Sequence, residues 1–207
     1  DIGMPPRPAI RTEVVDVVAP GGRTLSGILY SPAAGEDKAK PVFMLMHGWT
    51  SDVMRSSTHW LAVRLAQAGF TAVAFQHRAS GYRGIVTGKL EDIPPDMDVW
   101  VDFVTARGYS AVVGAGHGVG GLWWTYYLSE TKDSRIKAMV YLSPTRDMPL
   151  HARTGMGEDL YARAVLEAQE AVRDGEGATY LIDYPMPQAG YPDDARQPMF
   201  LPPPGSG

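Results

Sequence analysis

Four short apolar segments constrain the fold of this 207-residue chain more than any other feature. They are VFMLM at 42–46, TAVAF at 71–75, AVV at 111–113 and IKAMVYL at 136–142. The first has no polar alternation, which is typical of a strand buried on both faces of a sheet. Between the segments, apolar residues recur at helical spacing, so the chain is predicted to alternate between strands and helices.

A β-hairpin is predicted ahead of these segments. Residues 12–18 alternate and are rich in β-branched side chains, a Pro-Gly-Gly turn follows at 20–22, and residues 25–30 form the second strand. The helices are predicted at 57–68, at 97–107 with Pro94 and Pro95 opening it, and around 122–128. A hairpin followed by β-α-β-α-β-α-β predicts an α/β fold, a doubly wound and mostly parallel sheet with helices on both faces.

The alternating pattern ends near residue 145, which divides the chain into three predicted parts. Residues 1–145 form the core. Residues 146–182 form a cap-like or lid-like segment, with an amphipathic helix at 158–172. Residues 183–207 hold seven of the 17 prolines and are predicted to be a tail or linker.

Composition excludes several classes of site. With 19 basic and 23 acidic residues and no basic block, a nucleic acid or an anionic membrane surface is not an expected partner. The absence of cysteine excludes disulfides, thiolate metal sites and a Cys nucleophile. The five histidines show no paired spacing, so no metal site is predicted, and no apolar run is long enough to cross a membrane.

Compartment is left open by these features, with the cytoplasm favoured for a soluble chain without cysteines. The sequence starts at Asp1 and not at Met. We therefore expect either that a leader has been removed or that the sequence begins part-way along a longer product.

The tripeptide His47-Gly48-Trp49 directly follows the first apolar strand. Ligands of parallel sheets bind at the carboxyl ends of the strands, which is where this turn lies. Gly48 permits a close approach of the backbone and leaves the N–H of Trp49 to donate. In the alternative interpretation this is an ordinary turn, and His47 bonds only to nearby backbone.

The second motif is the glycine-rich segment at 114–121, between a predicted strand and a predicted helix. Glycines there indicate a sharp strand-to-helix turn whose central residue has a strained positive φ. A phosphate-binding Walker A loop would require a Lys after the glycines, and none follows. The G-x-G-x-x-G string lies on a late strand, whereas a dinucleotide fingerprint lies on the first, so no nucleotide cofactor is predicted.

With these motifs in this order, residues 10–145 resemble the α/β-hydrolase family. The family's nucleophile elbow reads G-x-S-x-G, often G-H-S-x-G-G, and residues 116–121 read G-H-G-V-G-G. Gly118 therefore stands where the resemblance places the nucleophilic serine. The resemblance implies an acyl hydrolase that acts on an ester, lactone or amide and needs no metal or organic cofactor.

The resemblance also implies the roles of individual residues. The N–H groups of Val119 and Trp49 would form the oxyanion hole, which stabilises charge on a carbonyl oxygen. Asp147 follows the sixth strand, where a subset of the family places its acid. The residues expected to line the substrate site are His47, Gly48 and His117.

Three explanations fit glycine at position 118: an engineered knock-out, a natural pseudoenzyme that binds a small molecule or a partner protein, and a fragment of a longer or two-chain hydrolase. We favour a hydrolase whose nucleophile is disabled and whose carboxyl-terminal portion lies outside this sequence. Because unpaired sheet edges favour aggregation, that portion or a second chain is expected to complete the sheet.

Overall fold

The fold was analysed in a computed structural model of the chain. The chain forms two compact units, Asp1–Thr145 and Arg146–Gly207. The structure describes residues 7–49, 51–54, 56–81, 89–145 and 148–177.

The first unit is built on a six-stranded sheet in the order β1-β2-β4-β3-β5-β6. Its strands are β1 (Ile10–Ala19), β2 (Arg23–Pro32), β3 (Val42–Met46), β4 (Thr71–Phe75), β5 (Val112–His117) and β6 (Ile136–Leu142). Strands β4, β3, β5 and β6 run parallel, while β2 is antiparallel to both β1 and β4. The predicted hairpin and the predicted mostly parallel α/β sheet are both confirmed.

Five α-helices and one short 3-10 helix, Leu90–Asp92, are found in the described part of the chain. The α-helices are α1 (Ser56–Gln67), α2 (Ile93–Ala106), α3 (Val119–Thr131), α4 (Met148–Met156) and α5 (Glu158–Arg173). Helix α2 begins at Ile93, one residue before the two prolines that were predicted to open it, and both prolines lie in its first turn. Helix α4 was not predicted. No described helix has the length and apolar character needed to cross a membrane.

Helices cover both faces of the sheet, each over its own apolar core. On β3, Met44 and Met46 enter the core that includes Trp100 of α2 and Trp124 of α3. Leu45 points to the opposite face, into the core that includes residues of α1. Since alternate residues of one strand are buried on opposite faces, the lack of polar alternation in this segment is explained.

Strand β5 is longer than predicted, because glycines of the second motif continue it to His117. A Cβ added to Gly114 would lie 2.5 Å from the Sδ atom of Met139 on β6. Glycine disfavours a strand in general, but here it permits close packing against a neighbouring strand. The predicted end at residue 113 was therefore wrong.

Strand β6 was predicted to be central, and it lies instead at the end of the described strand order. Val140 and Tyr141 on it are exposed. Helix α5 matches the helix predicted at 158–172. The predicted tail at 183–207 lies outside the described residues, and the three-part division of the chain stays a prediction.

Candidate functional site

The turn between β5 and α3 is a sharp elbow centred on Gly118. Strand β5 ends at His117 and helix α3 begins at Val119, so one residue separates them. Gly118 has φ 57° and ψ −123°. A residue other than glycine held at such a positive φ costs of order 1–3 kcal/mol and persists only where its surroundings impose it. The predicted positive φ at the centre of the turn is confirmed.

Steric requirements differ among the glycines of the elbow. A Cβ on Gly116 would lie 2.4 Å from the backbone N of Gly121, and a Cβ on Gly120 would lie 2.5 Å from the carbonyl oxygen of His47. Among the described residues, a Cβ on Gly118 would meet nothing closer than 3.8 Å, the distance to Gly48 Cα and to Thr145 Oγ1. Close packing therefore demands glycine at 116 and 120, whereas position 118 has room for a side chain.

Hydrogen bonds fasten the elbow to the end of β6. The N–H of Gly118 donates to the Leu142 carbonyl oxygen at 3.0 Å. The Gly118 carbonyl oxygen accepts from the N–H of Gly121 at 3.2 Å and from that of Thr145 at 3.1 Å. Val119 is the first residue of α3, so its N–H has no acceptor within the helix. The backbone is thus held with a helix N-terminal amide beside Gly118.

The turn at His47-Gly48-Trp49 lies directly against this elbow. Strands β3 and β5 are parallel neighbours, and their carboxyl ends meet at one edge. A Cβ on Gly48 would lie 3.0 Å from the Nδ1 atom of His117. The structure therefore brings Gly48, His117 and Gly118 together, as the order of the motifs predicted. The Trp49 side chain is exposed.

The imidazole of His47 is buried and bonded to protein atoms on both sides. Its Nδ1 atom is 2.9 Å from the carbonyl oxygen of Gly48, and its Nε2 atom is 2.7 Å from Ser80 Oγ. Burial lowers the pKa of His47, an effect that the Gly48 hydrogen bond and the charge of Asp52 oppose. A substrate-binding role for the His47 side chain stays a prediction.

His77, directly after β4, stacks on His47 with ring centroids 5.3 Å apart and ring planes 18° apart. The ring of Trp123 packs roughly perpendicular to both imidazoles. Burial, together with the neighbouring His47, lowers the pKa of His77 well below its usual value. Sequence analysis missed His77 and Ser80. The signal was available, because both follow β4 at the sheet edge where β3 and β5 end.

Two of the predicted site residues remain, His117 and Asp147. The Nδ1 atom of His117 is buried and, within the part of the chain that the structure describes, has no hydrogen-bond partner. Asp147, the predicted acid, lies outside the described residues.

Because His47 and His77 are buried, the fold is expected to lose stability in mild acid. The folded pKa of His77 lies below its unfolded value near 6.5, so the unfolded chain binds the proton more readily. Neutral His77 therefore makes its full contribution to stability above about pH 6.5. The free energy of unfolding then decreases by about 1.4 kcal/mol per pH unit as pH falls toward the folded pKa of His77. Urea unfolding between pH 7.5 and 5 should show this slope, and His77→Asn should reduce it. An unchanged slope in the variant would refute the assignment.

The Glu36 carboxylate contributes to stability in a pH range below that of the histidines. Burial raises the pKa of Glu36, but hydrogen bonds with Lys38, Arg107 and Tyr109 outweigh that effect and bring it to about 2. The resulting stabilisation is present above about pH 4.5 and is lost toward pH 2. A series between pH 7.5 and 5 therefore lies above the pH range in which Glu36 loses its contribution.

The chain is similar in sequence to one known family. The profile of the family described as serine aminopeptidase, S33, matches residues 37–194. Among curated proteins, none matches the sequence.

Solved structures with the same fold include enzymes described as esterases. Est1E from Butyrivibrio proteoclasticus, solved with ferulic acid bound, is 23% identical with a TM-score of 0.60, over 69% of this chain and 58% of that one. A cold-adapted esterase from an Arctic intertidal metagenomic library is 21% identical with a TM-score of 0.55, over 64% and 60%. An esterase from Pyrococcus furiosus is 20% identical with a TM-score of 0.56, over 84% and 65%. This chain thus spans about three fifths of the length of these structures.

Proposed function

We propose that this chain, which belongs to the serine aminopeptidase S33 family of α/β-hydrolases, carries the acyl-binding site of an ester, lactone or amide hydrolase. The observation that carries the proposal is the open space at Gly118. The backbone there has the positive φ of a nucleophile elbow, and a Cβ at this position would meet only ordinary contacts, at 3.8 Å, among the described residues. A glycine chosen for packing would be crowded, as Gly116 and Gly120 are.

In this proposal the acyl carbonyl of the ligand lies over Gly118. The N–H groups of Val119 and Trp49 donate to its oxygen, from the start of α3 and from the turn after β3. Donors aimed at an oxygen that gains negative charge lower the barrier to acyl transfer, because they are in place before the charge develops. His117 and Gly48 line the same space.

The chain as written has no nucleophile at position 118, so it forms no acyl-enzyme there. We propose that glycine replaces serine at this position. The base and the remaining strands belong to a carboxyl-terminal portion or to a second chain, with Asp147 as the candidate acid. Residues 146–182 would form a cap over the site.

A non-catalytic binding protein is the second candidate, and glycine at 118 is the observation that favours it. A pseudoenzyme would keep the pocket and bind a small molecule or a partner protein without turnover. The two functions differ in one result: a serine restored at 118 supports hydrolysis only in the first.

The oxyanion hole is tested by titrating the ¹⁵N-labelled protein with octanoate. A carboxylate reproduces the acyl oxygen and its charge, so the amide resonances of Trp49 and Val119 should shift together and saturate. Octanol has the same chain without the carboxylate, and it should leave both amides unshifted. Octanoate shifts confined to other residues would contradict the proposed site.

A further inference from the structure

The loop after β4, residues 77–81, is bonded to the turn after β3. Ser80 Oγ lies 2.7 Å from His47 Nε2, and the N–H of Gly81 donates to the Ser51 carbonyl oxygen at 3.0 Å. Stacking of the His77 and His47 rings adds a third connection. The loop therefore contacts the chain on both sides of Trp49, through the His47 side chain before it and the Ser51 backbone after it.

The direction of these hydrogen bonds follows from their chemistry. A carbonyl oxygen only accepts, so the Nδ1 atom of His47 must carry the proton that it shares with Gly48 at 2.9 Å. In a neutral imidazole the other nitrogen is then an acceptor, and the Ser80 hydroxyl must donate to it. Ser80 Oγ in turn accepts from the N–H of His77 at 2.9 Å. Both bonds of the hydroxyl are thus fixed.

This chain of bonds ends on the peptide unit that carries the Trp49 amide. The carbonyl oxygen of Gly48 accepts from His47 Nδ1 and, at 3.3 Å, from the N–H of Ser51. The Gly48 carbonyl and the Trp49 N–H belong to one planar peptide group, in which they point in opposite directions. Fixing the orientation of the carbonyl therefore fixes the direction of the N–H.

A buried ion pair anchors the loop to helix α2. The guanidinium of Arg78 bonds the carboxylate of Asp96, with Nη2 2.6 Å from Oδ1. The backbone N–H of Arg78 donates to the other oxygen of Asp96 at 2.7 Å. Asp96 is fully buried, so the residues on either side of Arg78 have a rigid support.

We infer that Ser80 is a positioning residue, which acts through His47 and Gly48 to aim the Trp49 N–H at the space beside Gly118. The inference deepens the proposed acyl-hydrolase function and rests on it for its catalytic meaning. The role is independent of which residue stands at 118.

The unmodified protein provides the first test. Nitrogen-15 shifts of the His47 ring should show a protonated Nδ1 and an unprotonated, hydrogen-bonded Nε2 at pH 7.5. A proton on Nε2 would overturn the inference, because Ser80 could not then donate to it. This measurement needs no substitution and no ligand.

Variants at position 80 provide the second test. Ser80→Ala removes the donor to His47, so the Trp49 amide resonance should move and the affinity for octanoate should fall about fivefold, the loss expected for one hydrogen bond. Ser80→Thr keeps a hydroxyl and should restore both. Ser129→Ala is the matched control, since Ser129 Oγ on α3 bonds only the Tyr126 carbonyl in the described residues.

The outcomes separate the two proposals. If Ser80→Ala leaves the Trp49 amide resonance unchanged, or shifts it no more than Ser129→Ala does, Ser80 has no positioning role. If octanoate fails to bind the unmodified protein while Ser80→Ala still moves the Trp49 resonance, positioning stands and the acyl-binding function fails.

Discussion

Gly118→Ser is expected to raise the hydrolysis of p-nitrophenyl butyrate at least about 10³-fold, in the complete polypeptide that contains residues 1–207. Among the described residues the introduced Cβ meets only contacts at 3.8 Å, so it fits the position without a collision. The proposed site would place the hydroxyl beside the amides of Val119 and Trp49. Loss of the nucleophile from a serine-hydrolase site costs roughly 10⁶ in rate, and a restored hydroxyl should recover a good part of that factor.

Gly118→Ala is the matched control for this gain, because it adds the same Cβ at the same positive φ without a hydroxyl. It should stay at the rate of the unmodified protein. Equal rates for the Ser and Ala variants would contradict the acyl-hydrolase proposal and favour the binding protein. Activity of Gly118→Ser in the 207-residue chain alone would assign the base to a histidine of this chain.

Gly116→Ala is expected to destabilise the fold by about 3 kcal/mol or more, whereas Gly118→Ala should cost only about 1–2 kcal/mol. The added Cβ at 116 would lie 2.4 Å from the N of Gly121 and 2.6 Å from the carbonyl oxygen of Gly120. Both are backbone atoms in the first turn of α3, so relief requires a shift of the helix against β5. At 118 the cost is backbone strain without a collision.

Urea unfolding of the two variants at pH 7.5 measures this difference. The midpoint of Gly116→Ala should fall well below that of Gly118→Ala with the slope of the transition unchanged. If Gly116→Ala fails to accumulate as folded protein while Gly118→Ala does, the same ranking holds. Equal midpoints would mean that the elbow is not packed as described.

The central strands were predictable from the sequence because each is buried on both faces. In β3 and β4 the apolar run and the strand coincide, at residues 42–46 and 71–75. The hairpin was predictable from a Pro-Gly-Gly turn between alternating segments. Both are local signals that tertiary contacts reinforce.

The end of β5 was not predictable in the same way. Glycines normally indicate a turn, and only the positions of Met139 on β6 and of the first turn of α3 explain why Gly114 and Gly116 belong to the strand. Those positions depend on contacts between distant parts of the sequence. A period-based analysis of residues 111–117 contains no information about them.

The candidate site, like the fold, was predictable only in part. The two motifs were placed at one edge of the sheet by the order of elements, and the structure brings Gly48 and Gly118 into contact there. Ser80 follows β4 at the same sheet edge, but that place alone does not distinguish it from other loop residues, and its meaning comes from its distance of 2.7 Å to His47.

The central claim is that Gly118 stands at a nucleophile position beside an oxyanion hole. It is tested most directly by mass spectrometry of Gly118→Ser after reaction with an alkyl fluorophosphonate, which phosphonylates an activated serine with loss of fluoride. The account predicts one adduct per molecule of the complete polypeptide, on the peptide that contains position 118, and none on Gly118→Ala. An adduct elsewhere, equal labelling of both variants, or no labelling of Gly118→Ser would contradict it.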